Sequence, residues 1–359
     1  MIREAQVLEA LKSVVDPDFK KDIVTLGFVR NLKIEGDRVS FTLKLTTPAC
    51  PLKDQLKAEA EATVKALGAS EVAITMDAES PIQAQPLPGV DHVIAVVAGK
   101  GGVGKSTTAV NLAVALAQLG AKVGLFDADA FGPNAPRMLG ALGQPLMTRK
   151  GKIIPIEAHG VKLVSLGLVV PDGQPVVWRG SLQHSFVRDF ATKTEWGELD
   201  YVIVDMPPGT GDIPLSVMQL IPLTGAVVVG TPQEVALEDV RRAVNMLEKL
   251  EVNVLGFVEN MSYFVCPSCG EKHDIFGTGG LAGYAEKYGA PLLGQIPIEP
   301  KIRKGSDVGF PAALEEGPLG EAYRELAENV ARRVAVAASQ QKPKETPHQK
   351  PFLNIPLKK

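Results

Sequence analysis

The sequence predicts an α/β protein: a mostly parallel sheet covered by helices on both faces, preceded by a small α+β domain. Three observations predict it. Short apolar runs recur with helical stretches between them, the pattern of parallel strands buried on both faces. A glycine-rich segment follows the first of these runs and opens a helix. A stretch with several prolines and little apolar periodicity, 78–91, separates all of this from an N-terminal unit with elements of its own. At 359 residues the chain is long for one domain. The boundaries read as 1–77, a linker 78–91, a main domain 92–338 and a tail 339–359.

In the first unit, Val7, Leu8, Leu11, Val14 and Val15 recur at helical spacing, and Asp16-Pro17-Asp18 breaks the helix. Val39, Phe41, Leu43 and Leu45 alternate, which is a strand with one buried face. The turn Gly36-Asp37 joins it to a strand over 29–34. A second helix runs from Pro51 to Leu67 and a last strand from Glu71 to Met76, so the order is helix, strand, strand, helix, strand. In the main domain a buried strand spans 93–98 and a helix 106–119. Further strands are expected at 123–126, 201–204, 226–229 and 254–258. Tyr323, Leu326, Val330 and Val334 form the stripe of a final helix. The tail is rich in proline and lysine and is expected to be disordered.

Hydrophobic residues make up 45% and charged residues 22% of the chain, enough apolar material for a sizeable core. A formal net charge of −3 offers no bulk attraction to nucleic acid. No apolar run is long enough for a membrane helix and no signal segment is visible, so the expected setting is the cytoplasm, with neither nucleic acid nor membrane as partner. Three cysteines, Cys50, Cys266 and Cys269, are too few for a disulfide scaffold. The C-x-x-C pair points to metal or redox chemistry.

Gly99-Lys100-Gly101-Gly102-Val103-Gly104-Lys105-Ser106-Thr107 satisfies every fixed position of G-x-x-x-x-G-K-[ST]. The chemistry needs these residue types. Glycines let backbone N–H groups turn inward around phosphate oxygens, and the helix that follows points its positive end at the anion. Lys105 can reach the β- and γ-phosphates, and the Ser106 hydroxyl can ligate Mg²⁺. A strand ending in Val202-Ile203-Val204-Asp205 carries a carboxylate to the same sheet edge, where it can hold a Mg²⁺-bound water. The Pro207-Pro208-Gly209-Thr210-Gly211-Asp212 run after it can sense the γ-phosphate. Asp127 and Asp129 follow the strand at 123–126 and are candidates to position the attacking water or the metal. Together these predict a P-loop NTPase that binds ATP with Mg²⁺.

Lys100 is extra to the ordinary phosphate loop. With it, the segment resembles the deviant Walker A motif of the MinD/ParA/arsenite-pump/nitrogenase-iron-protein class, in which this lysine contacts nucleotide across a dimer. That resemblance implies a homodimer and a catalytic role for Lys100 beside Lys105 and Asp129. Within the class, 1–338 resembles the Mrp/ApbC family of iron–sulfur cluster carriers. The markers are Asp127-x-Asp129-x-x-Gly132-Pro133, Trp178-Arg179-Gly180, Asp205 to Asp212, Glu259-Asn260-Met261-Ser262, Cys266-Pro-Ser-Cys269 and Phe276-Gly-Thr-Gly-Gly280. The glycine run after Phe276 departs from the pattern at Leu281. The N-terminal unit resembles a small domain of iron–sulfur assembly, through Asp16-Pro17-Asp18, Leu26-Gly27 and Thr46-Thr47-Pro48-Ala49-Cys50-Pro51. The resemblance implies that Asn260, placed just past a strand, contacts adenine. It also implies that apo iron–sulfur client proteins and scaffold proteins are partners.

Cys266 and Cys269 supply two thiolates, whereas a [4Fe–4S] cluster and a tetrahedral zinc each want four. A symmetric dimer would supply the other two. Spacing alone leaves cluster and zinc open, with His273 near enough to be considered a ligand and otherwise a surface residue. The family resemblance favours the cluster. Cys50, before Pro51 and a helix, is either a reactive thiol near a helix N-terminus or a structural one. Two other functions share the phosphate loop. A positioning ATPase of the MinD/ParA kind would need a basic amphipathic helix or a basic face. A zinc- or nickel-handling ATPase with a structural four-cysteine zinc site would share the cysteines.

Overall fold

The computed structural model describes residues 2–17, 21–45, 53–78, 87–129, 132–169, 180–277 and 279–340. Cys50, Trp178-Arg179, most of the expected linker and the tail beyond 340 lie outside them.

The N-terminal unit has the expected elements. A helix over Glu4–Leu11 and another over Lys53–Lys65 pack on a three-stranded sheet of Val29–Glu35, Arg38–Leu45 and Glu71–Ala78. The first pair is antiparallel and the second parallel. Val7, Leu11, Val39, Phe41, Leu43, Leu56 and Val64 form its core, as their spacing requires. The first helix ends earlier than its apolar spacing suggests. Val15 and Asp16 instead pair with Lys21 and Asp22 in a short antiparallel ladder.

In the main domain, strand β1 (Val90–Val97) leads through the glycine-rich loop into helix α1 (Lys105–Gln118). Strands β2 (Val123–Asp127), β3 (Val161–Ser165), β4 (Leu199–Asp205) and β5 (Gly225–Gly230) follow, then helix α2 (Glu234–Lys249). Strand β6 (Val254–Val265), helix α3 (Gly280–Tyr288), strand β7 (Leu292–Ile298) and helix α4 (Pro318–Gln340) complete it. The sheet order is β3-β2-β4-β1-β5-β6 with β7 beside β6, every neighbour parallel. Antiparallel additions at 156–158 and 272–273 bring the sheet to nine strands among the described residues. Helices α1 and α4 seal one face with Ile94, Val96, Leu112, Leu116, Leu326 and Val330. The helix Gly180–Lys193, α2 and α3 seal the other through Val187, Phe190, Val240, Leu247 and Leu281. Both faces are covered, which is why the strands read as continuous apolar runs.

All the parallel strands end on one edge, so the loops after β1, β2, β4 and β6 gather there. Strands β3 and β7 were not expected, and β6 is longer than expected. It runs on to Val265 and carries Asn260 within it, not past its end. Apolar periodicity stops at Glu259, but side-chain hydrogen bonds satisfy the polar residues beyond and the strand continues.

Candidate functional site: a phosphate loop and a cysteine turn on one sheet edge

The phosphate loop is held in shape by its surroundings. Gly102 and Gly104 have φ of +82° and +86°, backbone open to glycine at little cost. A methyl group at Gly99 would collide with the Asp239 carbonyl on α2, and one at Gly104 with the Asn260 amide. A Cβ at Gly101 or Gly102 would meet only open space. Asn111 on α1 donates to Thr107 O (2.8 Å) and accepts from Ala313 N (2.7 Å), fixing the start of the helix to the turn before α4.

Lys105 is buried and its ammonium is paired with Asp205. Asp129 Oδ2 lies 3.7 Å away and Ser106 Oγ 3.2 Å away. The second oxygen of Asp205, Oδ2, is buried with no hydrogen-bond partner among the described residues. An orphaned carboxylate oxygen beside a Walker serine is a suitable acceptor for metal-bound water, so the donor set fits MgATP. Asp127 sits one layer behind. It accepts from Asp129 N (3.1 Å), Ser165 Oγ (2.9 Å) and Ala135 N (3.3 Å), so its oxygens are spent on shaping the loop after β2. Burial raises both Asp127 and Asp205, with Lys105 opposing the rise at each.

Lys100 lies outside this cluster. Its side chain is 36% exposed and its ammonium stands 4.0 Å from Asp239 Oδ2, while Asp239 Oδ1 pairs with Arg242 at 3.1 Å. It therefore points along the surface, away from the loop's own phosphate space. Asn260, 7% exposed, donates from Nδ2 to Val103 O at 2.8 Å and so braces the loop directly.

Cys266 follows β6 in a tight turn. Its N–H donates to Glu271 O (2.9 Å), and Gly270, at φ +73°, donates to Cys266 O (2.8 Å). Cys266 is half-buried and Cys269 exposed, both as free thiols. The backbone N–H groups of Cys269 and Ser268 hold the Cys266 thiol below its ordinary value, the environment of a thiolate ligand. His273 does not join them. It is half exposed and stacks on Phe264 at 6.5 Å. Among the described residues no cluster of three or more His, Cys, Asp or Glu side chains could hold a metal.

Sequence reasoning brought out the loop, Asp129, Asp205 and the cysteines. It missed Asp239, Ser165 and Asn111, which act through tertiary contacts with no local signature. Glu259 and Ser262 stood in a quoted motif, but without a role.

A central strand, glycine-rich loop, buried lysine and strand-end aspartate define a P-loop NTPase, and Lys100 in the loop gives it the MinD/ParA form. The chain belongs to the NUBPL iron-transfer P-loop NTPase family, which matches residues 89–331, and residues 4–76 match the iron-sulfur cluster assembly protein family. It is 47% identical over 347 residues to an iron-sulfur cluster carrier protein of Deinococcus radiodurans, covering 95% of this chain and 98% of that relative. Among solved structures it is similar to a nucleotide-binding protein of Archaeoglobus fulgidus in complex with ADP. That likeness has 41% identity and a TM-score of 0.57, over 62% of this chain and 88% of the other. The cell division ATPase MinD of Pyrococcus furiosus is 26% identical with a TM-score of 0.52, over 67% of this chain and 98% of that one.

Proposed function

We propose that this chain is an ATP-dependent iron–sulfur cluster carrier. In this reading MgATP binds at 99–107, with Lys105 neutralising phosphate charge, Ser106 on Mg²⁺ and Asp205 on its water. Asp129, beside Lys105, orients the attacking water, and Asn260 meets the adenine with the part of its amide not used on Val103. Mg²⁺ would supply charge neutralisation at the β- and γ-oxygens during hydrolysis. The cluster is cargo, a [4Fe–4S] unit held by Cys266 and Cys269 of two subunits and passed to apo-proteins or received from scaffold proteins in the cytoplasm.

The observation that carries the reading is the cysteine turn itself. It presents two accessible thiols on the sheet edge that bears the phosphate loop, with no third ligand nearby among the described residues. One chain cannot complete a four-thiolate site; two chains related by a two-fold axis can. A ligand set split between subunits and open to solvent suits release more than permanent retention.

The positioning-ATPase alternative is less well supported. Helix α4 spends its apolar stripe on the sheet, with Tyr323, Leu326, Val330 and Val334 buried, and no helix of the described residues is long and apolar enough to cross a membrane. Anaerobic reconstitution with iron and sulfide tests the proposal. Wild type is expected to gain colour and iron at the level of one cluster per dimer. Cys266→Ala and Cys269→Ala should each lose most of it while keeping ATPase activity, and Cys50→Ala should be milder. Full iron in both pair variants excludes the bridged site. Tight zinc with refusal of iron in wild type would instead support the zinc-handling alternative.

A further inference from the structure

Strand β6 touches the phosphate loop and then becomes the stem of the cysteine turn. Asn260 donates to Val103 O, and Cys266 comes five residues after Met261, just past the end of the same strand. Between them the strand is irregular. Met261 takes a left-handed φ of +56°, costly for a side chain of its size, and the register of β6 against β7 shifts between Asn260 and Phe264.

Two buried side chains, Glu259 and Ser262, and the exposed Gln295 hold this irregularity in place. Glu259, 1% exposed, accepts at Oε1 from Ser262 Oγ (2.7 Å) and from Gln295 Nε2 (2.9 Å) on β7. Gln295 Nε2 also donates to Ser262 Oγ at 2.9 Å. The other carboxylate oxygen of Glu259 accepts from Leu281 N at 3.2 Å, in the first turn of α3. The segment that carries both cysteines thus lies between two points tied to Glu259, Ser262 on β6 before it and Leu281 on α3 after it. The second point has no play, because a Cβ at Gly280 would collide with the Pro232 carbonyl.

We infer that Glu259, Ser262 and Gln295 are a positioning clamp that couples occupancy of the phosphate loop to the set of the cysteine turn. The inference rests on the carrier reading for its purpose, though not for its test. A ligand that settles the phosphate loop shifts the Val103 carbonyl, and Asn260 passes that shift to β6. The strand cannot stretch, so the change appears at Met261, where the backbone already sits in a sparsely populated conformation. The clamp decides which arrangement of the bulge is held, and the cysteine turn, hung on the end of β6, follows it. Two sites and one bistable element between them are the requirements for such coupling.

The test uses apo-protein, full length, with Cys50→Ser so that maleimide labelling reports only Cys266 and Cys269. Labelling rates are measured with and without a non-hydrolysable ATP analogue and Mg²⁺. In the clamp-intact protein the analogue is expected to change the rate about threefold or more. In Ser262→Ala and Gln295→Leu that ratio should fall close to one, with analogue affinity within about twofold of the parent. Absence of any analogue effect in the parent, or the same ratio in both variants, overturns the clamp. Nucleotide-driven pairing of subunits that merely shields the thiols would give that second result. If a clamp variant loses analogue binding, Met261→Gly takes its place. It leaves the clamp's hydrogen-bonding groups intact and frees the bulge, so its ratio should also drop, and an unchanged ratio overturns the coupling. Iron content is measured separately, so a failed carrier reading and a failed clamp are told apart.

Discussion

At the scale of single residues, the phosphate site and the sheet floor pose opposite problems for a buried ionisable group. Lys105 is buried and paired, and its charge is what transition-state phosphate needs. Lys105→Ala is expected to lower kcat for ATP by at least about a hundredfold, because the developing charge loses its main cation. Wild-type turnover in a steady-state assay would remove Lys105 from the site. His92 is the reverse case. It is fully buried on β1 beside Tyr201, with rings 5.8 Å apart, and neither ring nitrogen has a hydrogen-bond partner among the described residues. Burial drives its pKa down from 6.5 to about 4. The fold thus favours the neutral ring, and the unfolded chain binds the proton first. His92 costs no stability to protonation above pH 6.5, and stability is lost as pH falls from 6.5 through 4. At the lower end the loss amounts to roughly 3 kcal/mol. Urea unfolding of wild type and His92→Leu across this range should show the wild-type midpoint falling more steeply. Parallel decline of the two curves would show that His92 stays solvated or neutral by other means.

At the scale of elements, helix α1 is anchored by one side chain that its own pattern does not announce. Asn111 is buried and uses both ends of its amide, on Thr107 O and Ala313 N. Asn111→Ala strands the Ala313 N–H in the core and is expected to cost about 1–3 kcal/mol, read as a lower urea midpoint of the main domain. A change within error would mean that the N–H finds water. The contrast shows what sequence could and could not reveal. Strands such as Val202–Asp205 were legible because burial on both faces leaves a continuous apolar run. The phosphate loop was legible because its backbone demands glycine at fixed positions. Strand β6 was legible only to Val258, since Glu259, Asn260 and Ser262 break the apolar run and are satisfied by partners on β7, α3 and the phosphate loop. Strand β7 went unseen for a related reason: Gly294, Gln295 and Pro297 interrupt its pattern. Asp239 could not be found at all from sequence, because its contact with Lys100 joins a loop to a helix more than a hundred residues away.

At the scale of the whole molecule, the placement of Lys100 bears on how many chains make one active site. Lys105 turns inward to Asp205, whereas Lys100 runs along the surface to Asp239, so the two lysines of one loop do not converge on one phosphate space. A surface ion pair at 4.0 Å contributes little and is easily exchanged for a phosphate. If the partner subunit's Lys100 serves each nucleotide, Lys100→Ala and Lys105→Ala homodimers should both be poor ATPases with different faults. Their mixture should then recover activity. In a mixed dimer the Lys100→Ala subunit keeps its own Lys105 and receives the intact Lys100 of the other subunit, so one of its two sites is complete. With random pairing of equal amounts, about a quarter of wild-type turnover is expected. A lysine acting within its own chain predicts no recovery, since every site in the mixture then lacks one of the two. ATP affinity of the Lys100→Ala protein should stay near wild type, because the loop glycines and Lys105 are untouched. Mixed samples that remain as inactive as their parents, under conditions where subunit exchange is shown by a size-tagged partner, would assign Lys100 to its own chain. The dimer would then rest on the cysteines alone.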